Sequence, residues 1–291
     1  MSPATGRDPG PDRRRSRAPG ARLPDPFRDL DAQPDPAEFI TRLEERGATP
    51  AHARLRRRFL RFAGVTPGAS VLEVGSGSGA VARDIGRLVG PGGNVVGIDP
   101  SRVSVAAARR LARREGLQDR VGFRVADGRR LPFAGSRFDV SLAVTVLLHV
   151  EAPDAVLAEM IRVTRPSGVV AVQDQDFGTL VVAHPDRRLT ARILDGVAEA
   201  LYPDPRSGRG LPGLLARLGL RRVRLLTSVY QDTTLEPYTK AFLERRAANA
   251  VQLGIVAAPT VERWLDDLTA LVASGGFVMT LNFYGAAGIK P

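Results

Sequence analysis

The stretch Val71-Leu72-Glu73-Val74-Gly75-Ser76-Gly77-Ser78-Gly79 decides the fold. Val71, Leu72 and Val74 suit a strand covered on both faces. Gly75, Gly77 and Gly79 allow a tight turn and a close approach of backbone to a ligand, where a Cβ would collide. Residues 80–89 then have helical spacing, so the free N–H groups of that helix's first turn would point at whatever occupies the loop. Strand, glycine loop and helix make the first βα turn of a nucleotide-type α/β domain. The loop alone leaves the ligand open, because Gly75-Ser76-Gly77-Ser78-Gly79-Ala80 also satisfies the G-x-G-x-x-A pattern of dinucleotide sites.

Working outward, residues 66–174 alternate strands with helices, which predicts a parallel sheet covered on both faces. Strands are expected at 70–74, 94–98, 121–125, 138–146 and 169–173. Helices fall between them at 80–89, 103–115 and 153–163. Further on, helical spacing covers 185–202, 211–218, 236–254 and 260–273, and strands cover 223–229 and 277–284. Upstream, a short amphipathic helix ends near Gly47. A second follows Thr49-Pro50, with Thr49 as N-cap and Pro50 at the first helical position. Residues 1–34 are rich in Pro, Gly, Arg and Asp without apolar periodicity and read as a disordered basic extension. The expected organisation is therefore that extension plus one domain over 35–291. Its core would be 66–177 and 222–291, with helical cap segments at 35–64, 185–220 and 236–275.

The absence of cysteine excludes disulfides and thiolate metal sites. No apolar run is long enough to span a bilayer, so no membrane association is expected. Arg13-Arg14-Arg15 is not followed by an apolar region, and the expected location is the cytoplasm. The net charge of +11 invites a nucleic-acid reading. Its arginines are scattered, however, and several lie in the extension. A solvated basic surface or an anionic small-molecule substrate is the preferred reading. Oligomeric state is not legible, and a homodimer stays open.

Three acids separate the cofactor classes. Asp99 ends the second strand, where a carboxylate can accept hydrogen bonds from both ribose hydroxyls of either cofactor, and the other two acids then tip the balance. Asp127, in Ala126-Asp127-Gly128, ends the third strand and can accept from an adenine amino group. Glu73 lies beside the loop, where a pyrophosphate would be repelled and a cationic cofactor welcomed.

Glu73-Val-Gly75-Ser-Gly77-Ser-Gly79, Ile98-Asp99-Pro100-Ser101, Ala126-Asp127-Gly128, Leu131-Pro132-Phe133 and Phe138-Asp139 occur in that order. Together they resemble the class I S-adenosylmethionine-dependent methyltransferases, and most closely the small-molecule branch typified by ubiquinone and menaquinone biosynthesis methylases. The resemblance covers residues 50–175 and, in style, the closing strand. It implies a Rossmann-like, doubly wound α/β sheet of seven strands with the last antiparallel. It also implies S-adenosylmethionine as cofactor. Gly75, Ser76, Gly77 and Gly79 would bind its methionine part with Glu73 nearby. Asp99, with Pro100 and Ser101, would take the ribose, and Ala126 with Asp127 the adenine. Val144 and Thr145 would pass beside the sulfonium. Many relatives carry two histidines after the fourth strand, whereas this chain has Leu147-Leu148-His149.

His149 is the candidate general base for a hydroxyl substrate. Asp174, Asp176 and Tyr202 are candidate substrate contacts. No histidine is suitably spaced with those acids, so no metal site is expected. Three other functions stay open. One is an NAD(P)-dependent oxidoreductase, although no tyrosine has a lysine four residues later. Another is an RNA methyltransferase, although only 5% of residues are aromatic stacking platforms. The third is a non-catalytic binding subunit on the same fold.

Overall fold

The computed structural model describes residues 23–291. Its strands are β1 (Ser70–Val74), β2 (Asn94–Asp99), β3 (Val121–Val125), β4 (Phe138–Val144), β5 (Thr164–Val182), β6 (Arg221–Asp232) and β7 (Met279–Ile289). They form one sheet in the order β3-β2-β1-β4-β5-β7-β6. β7 runs antiparallel to both of its neighbours. The expected seven-stranded sheet with an antiparallel last strand is the one observed.

The helices are α1 (Pro36–Ala48), α2 (Pro50–Phe62), α3 (Ala80–Val89), α4 (Arg102–Arg114), α5 (Pro153–Val163), α6 (Arg187–Leu201), α7 (Ser207–Arg217), α8 (Pro237–Gln252) and α9 (Ala258–Ala273). The boundary between the first two follows from local chemistry. The Asp35 carboxylate caps the amides of Ala37 and Glu38, and the Thr49 hydroxyl accepts from the His52 amide. Proline opens both helices, where its missing N–H costs nothing.

Burial sorts the helices into layers. On one sheet face Phe59, Ile85, Ala108 and Phe123 are buried together. On the other, Leu157, Met160, Leu211 and Leu215 cover Leu72, Val74 and Val170. A third cluster joins α6, α8 and α9 to the far ends of the last three strands around Trp264, Leu243, Tyr230 and Phe277. Of the expected cap segments, α7 and the C-terminal half of α2 therefore belong to the sheet layers. α2 buries Phe59 and Leu60, and α7 buries Leu211 and Leu215, because each presents its apolar stripe to a sheet face.

Two further expectations are corrected. β5 does not stop at residue 173. It runs on to Val182, because residues 174–176 and 181–182 find partners on β7 on either side of a register shift. The polar run Gln173-Asp174-Gln175-Asp176 masks that strand in the sequence. The expected disordered extension also ends too late. Residues 1–22 lie outside the described residues, but 23–34 are folded against the body. Leu30 is buried, and the Phe27 ring meets Phe39 edge-on at 5.7 Å. Two apolar anchors in twelve residues leave no periodicity to read, yet they suffice to dock a strap.

Candidate active site

A cavity of about 470 Å³ opens at the carboxyl ends of β1, β2 and β4, the crevice where ligands bind in open α/β sheets. One wall is the glycine loop with Asp99, Pro100, Asp127 and Gly128. The other is built by the strap through Phe27 and Leu30, by α1 through Leu43 and Arg46, and by α2 through His52 and Leu55. Val144, Thr145, His149, Gln173 and Phe283 close its inner end.

Glycine is required at two loop positions for different reasons. Gly75 has φ +72°, and a Cβ there would sit 2.5 Å from Val146 Cγ2. Its bareness lets the 145–149 turn pass over the loop. Gly79 has φ +79°, and its Cβ would meet the Phe123 ring at 2.6 Å. That residue serves the packing of α3 on the sheet and is absent from the cavity wall. Thr145, a β-branched residue, is held at φ +56°. Such strain costs about 1–3 kcal/mol and persists where the surroundings enforce it. Here its amide donates to the Gln173 carbonyl at 2.6 Å, and its hydroxyl receives Arg46 Nη1 at 3.4 Å.

Asp99 organises the loop. Its carboxylate accepts from the Gly77 amide at 2.9 Å and from the Ser101 amide at 3.0 Å. Burial raises its pKa against the pull of those two amides. Glu73 is 1% exposed and lines the cavity, and its Oε2 has no hydrogen-bond partner among the described residues. Burial holds its pKa well above the carboxylate range, and neighbouring Asp99 adds to the effect. Asp127 is half exposed and carries a fork of bonds from the Arg129 guanidinium, including 2.7 Å to Oδ2. That pairing lowers its pKa.

Several expected contacts are placed elsewhere. Ser101 caps α4 through the Ser104 amide, and its hydroxyl also faces Asp31, so it does not line the cavity. Ala126 is likewise off the wall, which Asp127 and Gly128 form instead. Asp174 and Asp176 sit on the sheet face opposite the cavity, because strand side chains alternate and Gln173 takes the cavity side. Asp176 is fully buried against the Arg209 guanidinium. Asp174 faces the Ser207 hydroxyl and the amides of Val146–Leu148, and burial pushes its pKa up to about 7. Tyr202 stands one layer behind the wall. Its ring meets His149 at 5.3 Å and stacks on Phe177 at 5.0 Å, and its hydroxyl accepts from Arg246 at 3.3 Å.

Gln173, Arg46 and His52 were not foreseen. Gln173 is 2% exposed with Nε2 unpartnered among the described residues. As the residue at the predicted end of β5, it was in principle legible. Arg46 and His52 lie on separate helices, and only the tertiary fold brings them to the wall.

His52 bonds Thr49 Oγ1 through Nδ1 at 2.7 Å and lies against the rings of Tyr230 and Tyr238. Burial, with the positive charges of Arg46 and Arg56, pulls its pKa down to about 2. It is therefore neutral in the folded protein, whereas the unfolded chain takes up the proton near about pH 6.5. Between those values the unfolded state binds more protons, so stability is full above about pH 6.5 and declines as pH falls below it. The melting temperature of the wild type should drop between about pH 7.5 and 5.5 more steeply than that of His52→Gln. Parallel slopes would contradict this assignment.

A family model for a methyltransferase domain matches residues 72–172. The chain is also 36% identical over 207 residues to methyltransferase GfsG of Streptomyces halstedii, covering 69% of this chain and 67% of that protein. The chain belongs to the class I S-adenosylmethionine-dependent methyltransferases. The methyltransferase is 31% identical over 151 residues to the ubiquinone/menaquinone biosynthesis C-methyltransferase UbiE of Pseudomonas paraeruginosa. That match covers 52% of this chain and 56% of UbiE, little more than half of that relative. Among solved structures, the [4+2]-cyclase SpnF is similar with a TM-score of 0.53 and 25% identity, over 84% of this chain and 85% of that one. Family membership sets aside the dinucleotide-dependent oxidoreductase.

The residues present suit the family's cofactor. Three buried polar atoms on the cavity wall, Glu73 Oε2, Ser76 Oγ and Gln173 Nε2, lack partners among the described residues. Buried polar groups left unpaired are costly and mark places where a ligand completes the bonding. An unpaired carboxyl oxygen beside the glycine loop suits an ammonium group, whose charge would favour the ionised form that burial disfavours.

Proposed function

We propose that this methyltransferase acts on an oxygen, nitrogen or carbon nucleophile of a small molecule in secondary or cofactor metabolism, with His149 as general base. The observation that carries this reading is the position of the His149 imidazole on the cavity wall, close to the strained Thr145 turn. The names of GfsG and UbiE support a small-molecule acceptor.

In this reading Glu73 binds the cofactor's ammonium group and Arg46 its carboxylate. The Arg46 guanidinium has no carboxylate partner among the described residues, its one hydrogen bond there being to Thr145. Gly75, Ser76 and Gly77 line the methionine part, Asp99 and Pro100 take the ribose, and Asp127 with Gly128 borders the adenine. S-adenosylmethionine, when bound, supplies a methyl group already activated on a sulfonium. The protein's work is then alignment and exclusion of water. Val144 and Thr145 form the floor beside the transfer, and Gln173 orients the acceptor. His149 takes the proton of a hydroxyl or acidic carbon as the new bond to the methyl forms, whereas a neutral amine needs little help.

The test uses methyl-labelled S-adenosylmethionine against panels of phenols and alcohols, amines, and carbon acids. One class should accept label. For a hydroxyl acceptor, His149→Ala should reduce turnover about 10²–10⁴-fold while S-adenosylhomocysteine affinity stays unchanged. Unaltered turnover would remove the base. The likeness to a protein described as a [4+2]-cyclase supplies a second reading. A cofactor that binds and is never consumed, with a substrate rearranged instead, would favour it.

A further inference from the structure

His149 is gripped from both sides. The Phe27 ring lies 5.4 Å away and the Tyr202 ring 5.3 Å away on another side. Its Nδ1 pairs with Asp25 Oδ2. The Asp25 side chain is 2% exposed, while that of His149 is 19% exposed and lines the cavity. The second Asp25 oxygen accepts from the Phe27 amide at 3.1 Å, which fixes the carboxylate plane. Nε2 of His149 has no hydrogen-bond partner among the described residues.

Asp25 arrives on the strap formed by residues 23–34, and the strap is anchored at its other end. The Asp31 carboxylate accepts from the Arg102 amide at 2.8 Å and the Val103 amide at 3.2 Å, at the start of α4. Those residues follow Asp99-Pro100 with only Ser101 between. The strap thus runs from the ribose-side turn to His149, and Phe27, Arg28 and Leu30 line the cavity on the way. A surface ion pair of this kind would be worth little. A carboxylate buried against one ring nitrogen decides which nitrogen carries the proton.

We propose that Asp25 is a positioning residue that holds His149 with its proton on Nδ1 and its Nε2 lone pair facing the acceptor, so that the strap completes the active site. This rests on His149 being the base. The proton of the acceptor moves to Nε2, the oxygen–methyl bond forms as the sulfur–methyl bond breaks, and the sulfur leaves as a neutral thioether. Asp25 keeps its charge beside the imidazolium so formed and takes no proton.

The tautomer is directly readable. The chain has three histidines, so long-range nitrogen–proton spectra of the histidine-labelled full-length protein resolve each ring, with His149 assigned by its disappearance in His149→Gln. Recorded at about pH 8.5, where a reference histidine is neutral, the wild-type His149 should show Nδ1 protonated and Nε2 bare. Asp25→Ala should move it toward the Nε2-protonated form that free imidazole side chains favour. Asp25→Asn, whose amide oxygen still accepts, should retain the wild-type form. A wild-type His149 protonated on Nε2 overturns the proposal without need of any variant. So does an unchanged tautomer in a folded Asp25→Ala. Failure of His149 as base would appear separately, as full turnover in His149→Ala with the wild-type tautomer intact.

Discussion

Replacing Asp99 with alanine should weaken S-adenosylmethionine binding by about 100-fold or more, corresponding to about 2.8 kcal/mol. Asp99 holds two parts of the site at once, since the Gly77 amide and the Ser101 amide both donate to it. Hydrogen bonds to a charged acceptor contribute about 1.5–3 kcal/mol each, and their loss leaves amides unsatisfied. The variant therefore loses the proposed ribose acceptor and the loop geometry together. Asp99→Asn keeps one acceptor oxygen and should fall between the two. Binding by isothermal calorimetry is the check, and an unchanged affinity for Asp99→Ala would remove the residue from the site.

Glu73→Gln should show the opposite balance, with a more stable unliganded protein and a weaker grip on the cofactor. The side chain is buried with one oxygen unpaired, and burial raises its pKa well above the usual range. The unfolded chain gives up this proton at about pH 4.3, before the folded protein does. Above that value the folded state binds more protons, so wild-type stability declines as pH rises through the window between the two pKa values. The amide isostere carries no such penalty. Its melting-temperature advantage should grow from about pH 5 to 8, while stabilisation by added S-adenosylmethionine shrinks. A variant less stable than wild type across that range, or one stabilised equally by the cofactor, would refute this role.

Both predictions concern residues that the chain displays openly. Glu73 and Asp99 end hydrophobic strands, and a strand's end at the loop side of a parallel sheet is a fixed address. The parallel part of the sheet likewise follows from alternating strands and helices, and Thr49-Pro50 marks its helix start by local chemistry alone. What the sequence hid depends on pairing and on facing. Asp174 and Asp176 share a strand with Gln173, but a one-residue step turns a strand side chain to the other sheet face. Composition cannot show which parity faces the cavity. Ser101 and Asp31 serve the start of α4, a use visible only once the strap is docked. Residues 23–34 read as disordered because Phe27 and Leu30 are isolated in a polar run. The partners of Phe27, the rings of Phe39 and His149, come from elsewhere in the chain.

The division of labour in the fold has a functional consequence. The sheet and its flanking helices hold the acids and the glycine loop. The strap, α1 and α2 bring Phe27, Arg46 and His52 to the opposite wall. The wall that carries the acids and the glycine loop is thus built from contiguous motifs, and the wall facing it from scattered residues that only the fold brings together.

The cavity at the strand ends is expected to hold S-adenosylmethionine. Isothermal calorimetry of the purified full-length protein with S-adenosylmethionine and with S-adenosylhomocysteine tests it most directly. One saturable site per chain is expected for each, abolished or strongly weakened in Asp99→Ala. No heat of binding for either compound, from a protein with a cooperative melting transition, would contradict it.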